Sequence, residues 1–114
     1  MPLYTEATVS ATGASNWIPL NQYESPFNVG FGVTVIAPGV SAAVTPDFTV
    51  QHTFVDVLGG GSAGAGEIFD HPDASGQSSS IDGNYAFPVA AVRLNVSALA
   101  TAGSVVFRVR QAGL

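Results

Sequence analysis

Phe27-Asn28-Val29-Gly30-Phe31-Gly32-Val33-Thr34-Val35 alternates apolar residues with small or polar ones along its whole length. Successive side chains of a strand point to opposite faces, so this pattern makes one apolar face and one wet face only if the backbone is extended. The same period of two recurs further on. Phe48, Val50, His52 and Phe54 alternate with Thr49, Gln51 and Thr53; Val92, Leu94 and Val96 with Arg93, Asn95 and Ser97; and Val105, Phe107 and Val109 with Val106, Arg108 and Arg110. Weaker strands are expected at Tyr4 to Thr12, Trp17 to Leu20, Glu67 to Phe69 and Tyr85 to Phe87.

Helical signals are nearly missing. Thirteen glycines and seven prolines break up the chain, and no uninterrupted segment repeats apolar residues at a spacing of three to four. Ser97 to Ala102 has room for one turn at most. Short strands separated by turn clusters predict an all-β fold, a single antiparallel β-sandwich or jelly-roll-like domain over residues 1–114. Residues 1–16, polar and mostly small, are a candidate extended N-terminal arm on that domain. The inward face is expected to carry Phe27, Phe31, Val33, Val50, Phe54, Leu94, Val96, Phe107 and Val109.

Charge is scarce. Three arginines, eight acids and no lysine make up 10% of the chain, with a net charge of −5, against about a quarter charged residues in ordinary globular proteins. A surface so poor in charge is expected to be covered in part by another protein, since charge is depleted from the cores of stable interfaces. Arg93, Arg108 and Arg110 cannot make a multi-phosphate footprint, so nucleic acid is not an expected partner. Between Glu24 and Asp47 no residue is charged, but Pro26, Pro38 and Pro46 interrupt the stretch, which predicts no membrane helix. Met1 to Glu6 has no basic start followed by an apolar run, so no secretion signal is expected. With no cysteine, neither a disulfide nor a thiolate metal site is available.

Motifs that could carry chemistry are weak. Gly59 to Gly66 is glycine-rich, yet no lysine follows it and no helix begins there, so it reads as a loop and not as a phosphate cradle. Asp70-His71-Pro72-Asp73 is the densest polar cluster. Its spacing matches no recognised cation loop, and an Asx-type turn, with Asp side chains bonding backbone amides, is the expected reading over a metal site. His52 shares the apolar parity of its strand and is expected to be a hydrogen-bonded core histidine. Asn95-Val96-Ser97 fits a glycosylation sequon but falls within a strand. No Gly-x-Ser-x-Gly elbow is present, and neither an enzyme nor a cofactor is expected. Tyr4, Trp17 and Tyr23, together with Arg108 and Arg110, are the candidate interface residues. Their rings suit a protein interface, and secondarily the C–H face of a sugar.

Three segments carry a resemblance. Asn16-Trp17-Ile18-Pro19-Leu20 running on to Ser25-Pro26-Phe27-Asn28-Val29-Gly30 is the first. Thr49-Val50-Gln51-His52-Thr53-Phe54 is the second, and Asp82-Gly83-Asn84-Tyr85-Ala86-Phe87-Pro88-Val89 followed by Arg93-Leu94-Asn95-Val96 is the third. Together they span about half the chain, and the sequence resembles a family of small virion proteins of tailed bacteriophages, the capsid decoration or cement proteins. That resemblance implies a β-sandwich or jelly roll on the exterior of the virion, made in the host cytoplasm. It implies the major capsid protein as a partner; the scarcity of charge predicts further copies of the chain as another, in a dimer or trimer, since so extensive an uncharged face needs covering. The expected function is to bridge neighbouring capsomers and stabilise the mature head. The alternative expectation is a head-fibre or tail-associated module that binds a host glycan.

Overall fold

The computed structural model describes residues 3–21, 27–36, 46–57, 63–99 and 103–111. Among the described residues nine strands follow in chain order: β1 (Leu3–Val9), β2 (Gly13–Ala14), β3 (Ile18–Pro19), β4 (Val29–Ile36), β5 (Asp47–Thr53), β6 (Ile68–Asp70), β7 (Ile81–Tyr85), β8 (Ala91–Ala98) and β9 (Ser104–Gln111). A 3-10 turn, Ala65–Glu67, precedes β6. Ser97 and Ala98, where one turn of helix had room to begin, close β8.

The strands form two antiparallel sheets. Sheet A runs β1-β9-β4-β7; sheet B runs β2-β8-β5-β6, with β3 also paired to β8. The protein is an all-β sandwich, as the alternation predicted. Phe31, Val33, Phe107 and Val109 point inward from sheet A, and Phe48, Val50, Leu94 and Val96 from sheet B. All are 5% exposed or less and belong to one hydrophobic cluster. The partner positions on β4, Gly30 and Thr34, are exposed, and Gly32 is half-buried.

Two expectations change. Phe54, placed inward by parity, is 55% exposed. Strand pairing ends at Thr53, whose partners on β6 and β8 are the last in the ladder, so the alternation no longer constrains the next residue. Residues 1–16, read as a candidate arm, contribute a full strand: β1 pairs with β9 at every position from Leu3↔Gln111 to Val9↔Val105. Leu3, Ala7 and Val9 pack against the core, so this segment is part of the sandwich wall.

Candidate interaction surface

The second histidine of the sequence, His71, holds the two sheets together at one side. Its backbone N–H donates to the Val50 carbonyl at 2.8 Å. Its Nδ1 accepts from the Asp73 backbone N–H at 3.1 Å, which leaves Nε2–H to donate to the Asn84 carbonyl on β7 at 2.9 Å. The turn expected at Asp70-His71-Pro72-Asp73 is therefore present, but the imidazole caps it where an aspartate was expected to. Among the described residues no group of three or more His, Cys, Asp or Glu is arranged to hold a metal ion.

His52 lies on the inner face of β5, opposite Phe69 on β6 and Val92 on β8. Its Nδ1 shares a 2.9 Å hydrogen bond with the Tyr85 hydroxyl of β7, so the contact crosses from sheet B to sheet A. The expected core histidine is thus found, 5% exposed. Burial pushes its pKa down, with the nearby His71 adding to the effect and Asp70 opposing it. Burial, helped by the Asp70 charge, drives the Tyr85 hydroxyl far above its ordinary value.

This burial has a consequence for stability. The unfolded chain takes up a proton at His52 near the ordinary value of 6.5, whereas the folded protein takes it up only at lower pH. In that window the unfolded state binds more protons, so stability rises with pH. The contribution is complete above about pH 6.5 and is lost as pH falls toward the folded-state value. Urea unfolding at about pH 7.5 and about pH 5 should show a larger drop for the native chain than for His52→Gln.

Above the His52–Tyr85 pair lie three phenylalanines. Phe54 follows β5, Phe69 sits in β6 and Phe87 comes two residues after β7. They are 55%, 46% and 46% exposed. Their rings surround the imidazole at 5.7, 5.8 and 5.7 Å, and Phe54 lies 5.8 Å from Phe69 and 6.4 Å from Phe87. At the usual size of a phenylalanine, half-exposure of all three leaves about 300 Å² of contiguous aromatic surface. Asp56, Glu67 and Asp70 flank these rings in sequence, and Arg93 is tied to Asp70 through Gln51, which accepts from Arg93 Nε and donates to the Asp70 carboxylate. Sequence reasoning missed the cluster. Phe54 was assigned inward, and Phe69 and Phe87 closed short expected strands, Glu67 to Phe69 and Tyr85 to Phe87, too brief for alternation to give a direction; Pro88 after Phe87 was a local sign that pairing stops there.

The candidate interface residues do not form one site. Tyr4, Arg108 and Arg110 meet on the outer face of sheet A because β1 pairs with β9, which sets Tyr4 beside Arg110 and Glu6 beside Arg108. The Arg110 guanidinium lies over the Tyr4 ring at 4.3 Å. Glu6 accepts from the Tyr4 hydroxyl at 2.9 Å and from Arg108 Nε at 3.0 Å. These bonds, Tyr4 first, hold its carboxyl below the usual carboxylate range. Trp17 is on sheet B, half-buried under the Arg93 guanidinium at 4.5 Å. Tyr23 lies outside the described residues, as do residues 59–62 of the stretch Gly59 to Gly66 that was expected to be a loop. Asn95 of the sequon stands in β8 between Ala14 and Thr49.

No family model matches the chain, and no curated protein does. Among solved structures it is similar to a protein of the Bacillus endospore appendages, described as a novel family of disulfide-linked pili. The identity is 15%, the match covers 99% of this chain and 89% of that one, and the TM-score is 0.41. At that score nothing about activity or partners follows from the likeness.

Proposed function

We propose that this protein is a structural component of an assembly, a capsid decoration protein that binds the outside of a major capsid shell and bridges neighbouring capsomers. The observation that carries the reading is the half-exposed cluster of Phe54, Phe69 and Phe87. Aromatic side chains gathered on a sheet rim are what a protein interface uses as anchors. The low charge of the whole chain and the three segments that resemble virion proteins support the same conclusion. The flanking acids favour a partner surface that is apolar at its centre and neutral or basic around it.

The mechanism is linkage. A protein that binds only the intact mature shell raises the free energy of breaking it, and many modest sites on one shell act together. Capsids without the protein should assemble but rupture or lose their genome at lower temperature, and adding the purified chain should restore them. The triple variant Phe54→Ser/Phe69→Ser/Phe87→Ser should stay folded and bind capsids at least about 100-fold more weakly, since single anchors at interface centres cost 2 kcal/mol or more. If stripped capsids are as heat-stable as decorated ones while attachment to host cells falls, the protein is a glycan-binding module instead.

A further inference from the structure

Two sheets end in four edges, and they are not alike. On sheet B, β6 has three residues, while β2 and β3 have two each, are separated by Ser15 to Trp17, and include Pro19, which has no N–H. On sheet A, β7 carries Asp82 and Gly83, and its Asn84 carbonyl is taken by His71. The fourth edge, β1, is seven residues long, contains neither Pro nor Gly, and keeps an unbroken one-to-one register with β9. No described strand pairs with its other side. Natural sheets block such edges with lysines, prolines, bulges or inward charges, because unpaired N–H and C=O groups recruit another strand. None of those devices is present on β1. Its one charge, Glu6, lies on the outer face, held by Tyr4 and Arg108.

A groove of about 910 Å³ runs beside this edge, between β1 and the segment that leads to Ile18. Leu3, Thr5, Ala7 and Val9 of β1 face the interior but are only half-buried. The core is therefore left partly open at the same place where the backbone is unpaired.

We propose that β1 pairs antiparallel with β1 of a second copy about a two-fold axis at Thr5, joining two four-stranded sheets into one of eight. This rests on the assembly role proposed above and on the self-association expected from the sequence. A two-fold axis normal to the sheet sets inward residues opposite inward ones, so the axis must pass through a residue. Centring it on Glu6 would put two carboxylates face to face, which is destabilising. Centring it on Thr5 sets Tyr4 and Glu6 of one copy opposite Glu6 and Tyr4 of the second, so the Tyr4–Glu6 hydrogen bond within each strand can be exchanged for two across the axis, and Leu3 comes opposite Ala7. Avoidance of facing carboxylates and this exchange of hydrogen bonds favour a second β1 as the occupant and the Thr5 register over the Glu6 one.

Sedimentation of the purified chain at about 50 μM, well above the dissociation constants typical of stable dimers, should give a dimer. Thr5→Lys, which sets two ammonium groups opposite each other at a half-buried position, should shift it to monomer with unchanged far-ultraviolet dichroism. Because the chain has no cysteine, Thr5→Cys gives a direct readout that does not depend on the lysine variant folding. Directly opposed Cα atoms at 4.5–5.5 Å fall within disulfide range, so mild oxidation should yield a covalent dimer, whereas Thr8→Cys should not. A monomeric native chain overturns both this inference and the self-association on which it rests. A dimer that resists Thr5→Lys overturns the β1 pairing, and one that crosslinks through Ala7→Cys and not Thr5→Cys overturns the register centred on Thr5; both leave self-association standing.

Discussion

Replacing Phe107 by alanine is expected to destabilise the protein by about 3–5 kcal/mol, the range found when a buried phenylalanine is truncated. Phe107 is fully buried on β9, the strand that lies between β1 and β4, with Ala7 on one side and Val33 on the other. Its ring is 6.1 Å from that of Phe31. Neighbours held by strand ladders on both sides cannot collapse into the space, so the loss combines transfer and cavity costs. Domains of this size have about 5–15 kcal/mol in total, so the variant should unfold at a much lower urea midpoint with a similar slope. A loss under about 1 kcal/mol would mean that β9 is not at the centre of the packing.

Glycine substitutions should divide by face. Gly83 opposes Phe31 across the β4–β7 ladder on the inner side. A Cβ there would lie 2.6 Å from Phe31 Cζ and 3.1 Å from Cε2. The Phe31 ring cannot swing clear freely, because it is edge-on to His71 at 5.1 Å and lies 5.9 Å from Tyr85. Gly83→Val should cost about 1–3 kcal/mol through overpacking. At Gly30 and Gly32 a Cβ would meet nothing within 4 Å. Valine at either position should leave stability unchanged or raise it by up to about 1 kcal/mol, since glycine inside a strand is entropically unfavourable. Thermal melts of the three variants give the contrast, and equal destabilisation at all three positions would contradict the assigned faces.

What could be read from sequence was the part where burial and alternation are the same fact. Phe31, Val33, Leu94, Val96, Phe107 and Val109 are inside because every second residue of a strand packed on another sheet must be. The period says nothing about where pairing stops. That is why Phe54, in step with Phe48, Val50 and His52, came out exposed once the ladder ended at Thr53. Nor does it say which strands become neighbours. Tyr4, Arg108 and Arg110 were picked singly, and only the β1–β9 register gathers them while sending Trp17 to the other sheet. The turn at His71 was legible as a turn, but not as one capped by its own imidazole, because a histidine's choice of partners is set by the strand that passes beside it.

The position of β9 also fixes the order in which the molecule can be built. Sheet B takes all its strands from residues up to Ala98, so it can assemble before β9 exists. Sheet A cannot: β1 and β4 are joined only through β9, the final strand in chain order. Until it arrives, β1 waits with both sides unpaired, and its eventual contacts span nearly the full chain, from Leu3 to Gln111. Contacts so far apart in sequence make for slow folding, because the loop must close before any pairing repays it. Once sheet B has formed, therefore, β1 and the β4–β7 pair still wait for β9 to join them, and that interval is when the folding chain is most exposed to its neighbours.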